Sequence, residues 1–262
     1  MDGGPLLGSQ ALARGTLTRS QLRTRYRAVF RDVYIRRDVE LTAAITARAA
    51  WLSTGAVLAG ISAAAALGTK WLDPAAIAEI VRADRHAQPG MVAHSYRLDD
   101  GEVGAVRGMR VTTPARTAFD IGRSLPAARA VPILDALLNA TGIKPPDVVV
   151  VADRHAGARG IRRLRAALEL TDGGAESPQE TRVRLLLVGA GLPKPETQIE
   201  FPDCASAWTW GGANGRSPSS TTVSSTGTTA SSGRGTSSAS PCWKRPAGRW
   251  SGSVRRCCRG RR

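Results

Sequence analysis

Cysteine is missing from the first 203 residues; all four copies (Cys204, Cys242, Cys257, Cys258) follow Asp203. A cysteine-free body excludes a disulfide scaffold and suits a reducing compartment. Aromatic residues are scarce, at 5% of the chain, so a core has to be built from Leu, Ile, Val and Ala. The longest apolar run, about Ala56–Gly68, falls short of the roughly 20 residues a membrane-spanning helix needs. The opening residues Met1-Asp2-Gly3-Gly4 show no basic segment followed by an apolar one, the mark of a secretory signal. A cytoplasmic protein with no membrane partner is therefore expected.

Acidic residues are the most unevenly distributed. Residues 1–203 hold all 21 Asp+Glu and 27 of the 37 Lys+Arg, whereas residues 204–262 hold ten basic residues and no acidic one. The net charge of +16 thus divides into +6 and +10. A basic balance points toward a polyanion, often nucleic acid, but only the +6 belongs to a region with foldable patterning.

That region predicts an α/β (α+β) chain. Leu6–Ala13 is a short apolar-rich segment. Thr18 with Gln21 three residues later forms a capping box that opens a helix. Leu22, Tyr26 and Val29 are expected on its apolar face, and Arg19, Arg23 and Arg27 at i, i+4, i+8 on a basic one. This stripe is either a DNA-facing surface or a solvated face. Val29–Arg36 is rich in β-formers and reads as a strand. Helices are expected over Thr42–Ser53 and Ala56–Leu67, and a buried strand over Ile77–Ala83. Two short segments should flank the hairpin-type dipeptide Asp100-Gly101. Pro114 opens a helix that Gly122 ends, and Pro126–Ala140 forms another with Leu134, Leu137 and Leu138 inward. Asp147–His155 reads as strand or helix. Ile161–Leu170 is helical, with Ile161, Leu164 and Leu168 inward. Ser177-Pro178-Gln179-Glu180 combines an N-cap Ser, Pro at N1 and Glu at N3, a strong helix start. Gln198–Phe201 begins a strand. His86, His94 and His155 lie at no ligand spacing and are expected to be structural.

From Cys204 onward the pattern breaks. Fifty-nine residues contain no Leu, Ile, Met, Phe, Tyr, Asp, Glu, Gln or His, while Ser and Thr make up 20 and four of the six Trp are found there. Disordered tails are usually rich in Glu, Lys or Gln and poor in Trp and Cys. A Ser, Thr, Arg, Gly, Trp, Cys and Pro mixture is what GC-rich coding DNA yields when read out of frame. Ser217–Gly227 (SPSSTTVSSTG), written in GC-biased codons and read from the third base of Ser217, permits AVEYDGEQHW. Ala207–Gly215 (AWTWGGANG) permits VDMGWGEW, and Pro241–Cys258 permits VLEATGWAVVRVSAAVL.

These strings, preceded by SPQETRVRLLLVGAGLPKPETQIEF, resemble the very-short-patch-repair (Vsr)-like nucleases of the PD-(D/E)XK superfamily. In particular they are similar to a bacterial family of unknown physiological role that joins such a domain to an N-terminal AbiEi antitoxin-like winged helix. Here that segment is LARGTLTRSQLRTRYRAVFRDVYIRRD, and TTPARTAFDIGR is similar to the family's linker. The resemblance implies a winged-helix-like segment at 1–40, a mixed α/β middle region at 41–172 and a truncated endonuclease-like remnant at 173–203. A disordered, out-of-frame tail follows at 204–262. It implies DNA as a partner through Arg19, Arg23 and Arg27, leaves any partner toxin unidentified, and makes Glu180 the first of three Mg²⁺-binding carboxylates. Clustered carboxylates are needed because the metal polarises the phosphate and activates a water. The other two carboxylates belong to the VDMGW-like and VEYDG-like strands, whose places are taken by Trp208-Thr209 and Ser219–Thr222. No complete metal site and no cofactor are therefore expected in this copy, and nuclease activity is expected to be lost. Taken by itself, Glu180 reads first as a helix-start residue. Two alternatives stay open: a non-catalytic nucleic-acid-binding protein with a genuine basic tail, and an active Mg²⁺-dependent endonuclease.

Overall fold

The computed structural model describes residues 3–84, 86–200 and 207–211. They belong to two compact units, Met1–Leu192 and Pro193–Arg262. The first unit opens with β1 (Leu6–Leu7), α1 (Gly8–Ala13), α2 (Arg19–Arg25), β2 (Tyr26–Phe30) and β3 (Val33–Arg36). The strands form an antiparallel sheet in the order β1-β3-β2, with Leu6 opposite Tyr34 and Tyr26 opposite Arg36. Two helices followed by a hairpin that returns to the first strand make a winged-helix-like segment.

A second, mixed sheet is built further along the chain. After α3 (Ala43–Thr54) come β4 (Val57–Leu58), α4 (Gly60–Ala66), β5 (Ala78–Val81), β6 (Met91–His94), β7 (Val103–Val106) and β8 (Met109–Thr112). Their order is β6-β5-β4-β8-β7. The β4–β8 and β5–β6 pairs are parallel, and β4–β5 and β7–β8 are antiparallel. Ala47, Ala49 and Ala50 of α3 are fully buried beside Phe30 and Val33 of the first sheet and Leu58, Ile80 and Val111 of the second. Alanine is what permits this: with no side chain beyond Cβ, α3 lets both sheets approach closely.

Five helices complete the unit: α5 (Pro114–Ser124), α6 (Ala127–Thr141), α7 (Pro145–Arg154), α8 (Ile161–Leu170) and α9 (Pro178–Gly189). Their core comprises Phe119, Ile121, Leu134, Leu137, Leu138, Val148, Val151, Leu164 and Leu168. Full burial of each large side chain stabilises the fold by about 1.5–3 kcal/mol relative to exposure. α6 and α9 are also joined by a buried ion pair, Asp135 with Arg184, to which the Thr181 hydroxyl and the Asp172 N–H add hydrogen bonds of 2.7 Å each. In the second unit β9 (Glu196–Glu200) pairs antiparallel with β10 (Ala207–Gly211). The remainder of the tail, including Ser219–Thr222, lies outside the described residues.

The local expectations fail where packing overrides pattern. α2 stops at Arg25, and Tyr26 and Val29 belong to β2 rather than to a helix face, because YRAVF is a run of β-formers that pairs with VYIR. Val29–Arg36 is therefore a hairpin of two strands. The helix expected from Ala56 begins only at Gly60, because Val57 and Leu58 form the central strand. Asp100–Glu102 is a 3-10 turn, not the hairpin reversal. The reversal is Arg107-Gly108, both at positive φ (50° and 78°), a two-residue loop matched to strand twist. Gly122 does not end α5: it is an internal contact where an added Cβ would lie 2.4 Å from Leu164 Cδ1. Asp147–His155 resolves as helix over Asp147–Arg154.

Candidate functional site

The Thr18 hydroxyl accepts from Gln21 N at 3.1 Å while Gln21 Oε1 accepts from Thr18 N at 2.9 Å, so the capping box forms and fixes where α2 begins. Leu22 turns inward and is buried, while Arg19 and Arg23, one turn apart, are exposed on the flank of the helix. Neither has an acidic partner among the described residues. Arg36, by contrast, is paired with Asp38.

Arg27 does not continue this stripe. It sits in β2 opposite Ile35, and its Nη2 donates to the Val39 carbonyl at 3.0 Å. Its Nε is buried without a partner. The three-arginine face is thus a two-arginine face, because helical spacing ends with the helix at Arg25. The hairpin tip is held as well. Asp32, at φ 59°, accepts from Ser9 N at 2.8 Å and so caps the start of α1. Arg31 N donates to Gln88 Oε1 at 2.7 Å.

Glu180 is placed as a helix-start residue. Its N–H donates to the Ser177 hydroxyl at 3.3 Å and its carboxylate accepts from Glu176 N at 2.9 Å. It joins no group of three potential metal ligands among the described residues.

A denser cluster lies elsewhere. Arg116, 2% exposed, is clamped between two buried carboxylates: Nη1 donates to Glu102 Oε2, and Nε donates to Asp120 Oδ2 at 2.9 Å. Arg123 holds the other Asp120 oxygen through Nε and Nη2 at 3.0 and 2.9 Å. The Tyr96 hydroxyl donates to Asp120 Oδ2 at 3.0 Å, and the Arg116 guanidinium lies 4.7 Å from the Tyr96 ring centre. His155 closes the group with Nε2 2.6 Å from Glu102 Oε1 and 3.3 Å from Arg116 Nη1. Burial alone would raise the Glu102 pKa, but the Asp99 N–H, His155 and Arg116 outweigh it and hold the carboxyl below its ordinary range. Burial, reinforced by Asp120, pushes the Tyr96 phenol up, so it stays a hydrogen-bond donor.

The network floors an open cleft of about 460 Å³ whose lining includes Tyr96, Arg97, Arg123, Arg154, His155 and Arg159. Asp99, Glu102 and His155 present ligand atoms within 4.8 Å of one another and are the only such trio among the described residues. Arg116 already supplies the cation there, hydrogen-bonded to Glu102 and beside His155, so the trio is a poor metal seat.

Spacing alone did not reveal this site. His155 stands 53 positions from Glu102 and 39 from Arg116. The one legible signal was Arg116, Asp120 and Arg123 at i, i+4 and i+7 within TTPARTAFDIGR.

Fold and site together define a mixed α/β protein with a winged-helix-like start and an arginine-clamped helical domain. No helix among the described residues is long and apolar enough to cross a membrane. Residues 48–170 match the AbiEi antitoxin C-terminal domain family. The match runs from within α3 through α8 and so contains the whole buried network. The chain is also 33% identical over 153 residues to uncharacterized proteins of two Mycobacterium tuberculosis strains (CDC 1551 / Oshkosh and ATCC 25618 / H37Rv), covering 57% of this chain and 52% of each relative. The chain thus spans about half the length of the curated relatives it matches.

Proposed function

We propose that this chain is a DNA-binding protein of the antitoxin type that contacts DNA through α2. The observation that carries this reading is the outward pair Arg19 and Arg23, held by a capped helix in a winged-helix-like segment and free of acidic partners among the described residues. The AbiEi antitoxin match over residues 48–170 supports the class of role. Arginines so placed neutralise backbone phosphates and release counterions. The double variant Arg19→Ala/Arg23→Ala is expected to lower the slope of log affinity against log salt by about two, one per lost phosphate contact, with Tm unchanged. Fluorescence anisotropy on duplex DNA measures it, and an unchanged slope removes α2 from the interface.

We further infer that the chain is a nuclease-like protein whose reading frame shifts after Asp203, with loss of nuclease chemistry and of the Mg²⁺ site. The absence of any Asp or Glu from residues 204–262 supports this reading, because Glu180 is left without the two carboxylates that a metal seat would need. Val183 and Leu186 of α9, with Leu192 after it, are 45%, 73% and 52% exposed, apolar surface of the kind that marks an interaction site. The gene decides the matter: a one-base correction after codon 203 should open a frame encoding the VEYDG-like strand, and no such frame means a genuine tail.

A further inference from the structure

We infer that the arginine-lined cleft of the 48–170 domain is a binding site for a phosphoryl group on a ligand of nucleotide size. The site is distinct from α2 and stands whether or not α2 binds DNA.

Four separate parts of the chain bring arginines to this cleft. Arg97 follows β6, Arg123 lies in the last turn of α5, Arg154 ends α7 and Arg159 lies between α7 and α8. Arg97, Arg154 and Arg159 are exposed and have no acidic partner among the described residues. Arg116 and Arg123, by contrast, are already held by Glu102 and Asp120. The cleft therefore has a rigid, charge-compensated floor and a rim of uncompensated guanidiniums. Asp99 is the one acidic residue in the lining among the described residues.

Charge and shape decide the ligand class. A carboxylate offers one face to one guanidinium, whereas a phosphate has several oxygens and up to two charges and can engage guanidiniums from more than one side. A volume near 460 Å³ lies within the range of small-ligand pockets. The aromatic residues are not available for stacking a base. The Tyr96 ring already carries Arg116 at 4.7 Å, Arg123 at 5.5 Å and the His94 ring at 5.3 Å, and Phe119 carries both arginines at 5.3 Å. The site therefore reads phosphate and is indifferent to the base.

Titration calorimetry on the full chain tests this with inorganic phosphate, a nucleoside 5′-monophosphate and the parent nucleoside. Phosphate and the nucleotide are expected to bind and the nucleoside not, with purine and pyrimidine nucleotides alike. Arg154→Ala/Arg159→Ala should weaken the nucleotide roughly tenfold or more, as two charge-assisted contacts are lost. Both side chains are exposed, so Tm should hold. The ten basic residues after Asp203 are the same in both proteins and cancel from the comparison. Nucleoside binding as tight as nucleotide binding, or a nucleotide affinity unchanged in the double variant, overturns the inference. A duplex bearing a 5′-phosphate is compared with its 5′-hydroxyl twin to find the source. Tighter binding of the former, dependent on Arg154 and Arg159, assigns the phosphoryl group to nucleic acid; equal binding assigns it to a free nucleotide. Arg19→Ala/Arg23→Ala should leave phosphate affinity untouched, which separates failure here from failure of the α2 reading.

Discussion

Arginine does opposite work in the two regions of the first unit. On α2, Arg19 and Arg23 project into water with no acidic partner among the described residues. In the 48–170 domain, Arg116 is almost fully buried and forms an internal tie between a 3-10 turn and a helix. The difference lies in the cost of desolvation. An exposed guanidinium keeps its hydration and is free to exchange it for a ligand's charge. A buried one is tolerable only when carboxylates and hydrogen bonds replace the lost water. The cleft combines the two modes, with Arg116 and Arg123 internally satisfied below and Arg97, Arg154 and Arg159 open above.

The contrast is broken most sharply by removing one arginine of each kind. Arg116→Ala leaves Glu102 and Asp120 buried with part of their charge uncompensated, so a loss of about 3–5 kcal/mol is expected. Arg19→Ala should stay within about 0.5 kcal/mol of the parent. Urea denaturation measures both, and equal effects would mean that burial does not set the role.

A smaller effect comes from pH. The folded-state pKa of Glu102 is depressed, so its contribution to stability is complete above the ordinary glutamate value of 4.5 and is lost as pH falls through the depressed value. Denaturation midpoints should therefore drop on acidification below pH 4.5, and Glu102→Gln should flatten that part of the profile. An unflattened profile assigns the acid sensitivity to other carboxylates. The smallest change is at the local level: Thr18→Ala removes one cap and should cost about 1 kcal/mol, read as a lower urea midpoint with the arginine network intact.

The residues that were legible in sequence are those whose partners lie within one turn. Thr18 with Gln21 and Ser177 with Glu180 each announce a helix start, and each forms as expected. Leu134, Leu137 and Leu138 follow helical spacing and are buried. The misreadings share one cause, that the deciding partner is distant. Gly122 looked like a stop because glycine usually is one, yet its role is set by Leu164 on another helix. Val57 and Leu58 looked helical until β5 and β8 claimed them on either side. Arg27 looked like the next step of a stripe until β3 claimed its segment.

Sequence alone determined the helix starts, the apolar faces and the break in composition at Cys204, because caps, periodicity and residue usage are properties of neighbouring positions. Tertiary structure alone decided that His155, Glu102, Arg116 and Asp120 form one network, and that three arginines with no acidic partner among the described residues rim it. Pairs 14 to 53 positions apart meet only once the sheet and helices have packed, and no local spacing records a contact made across a core.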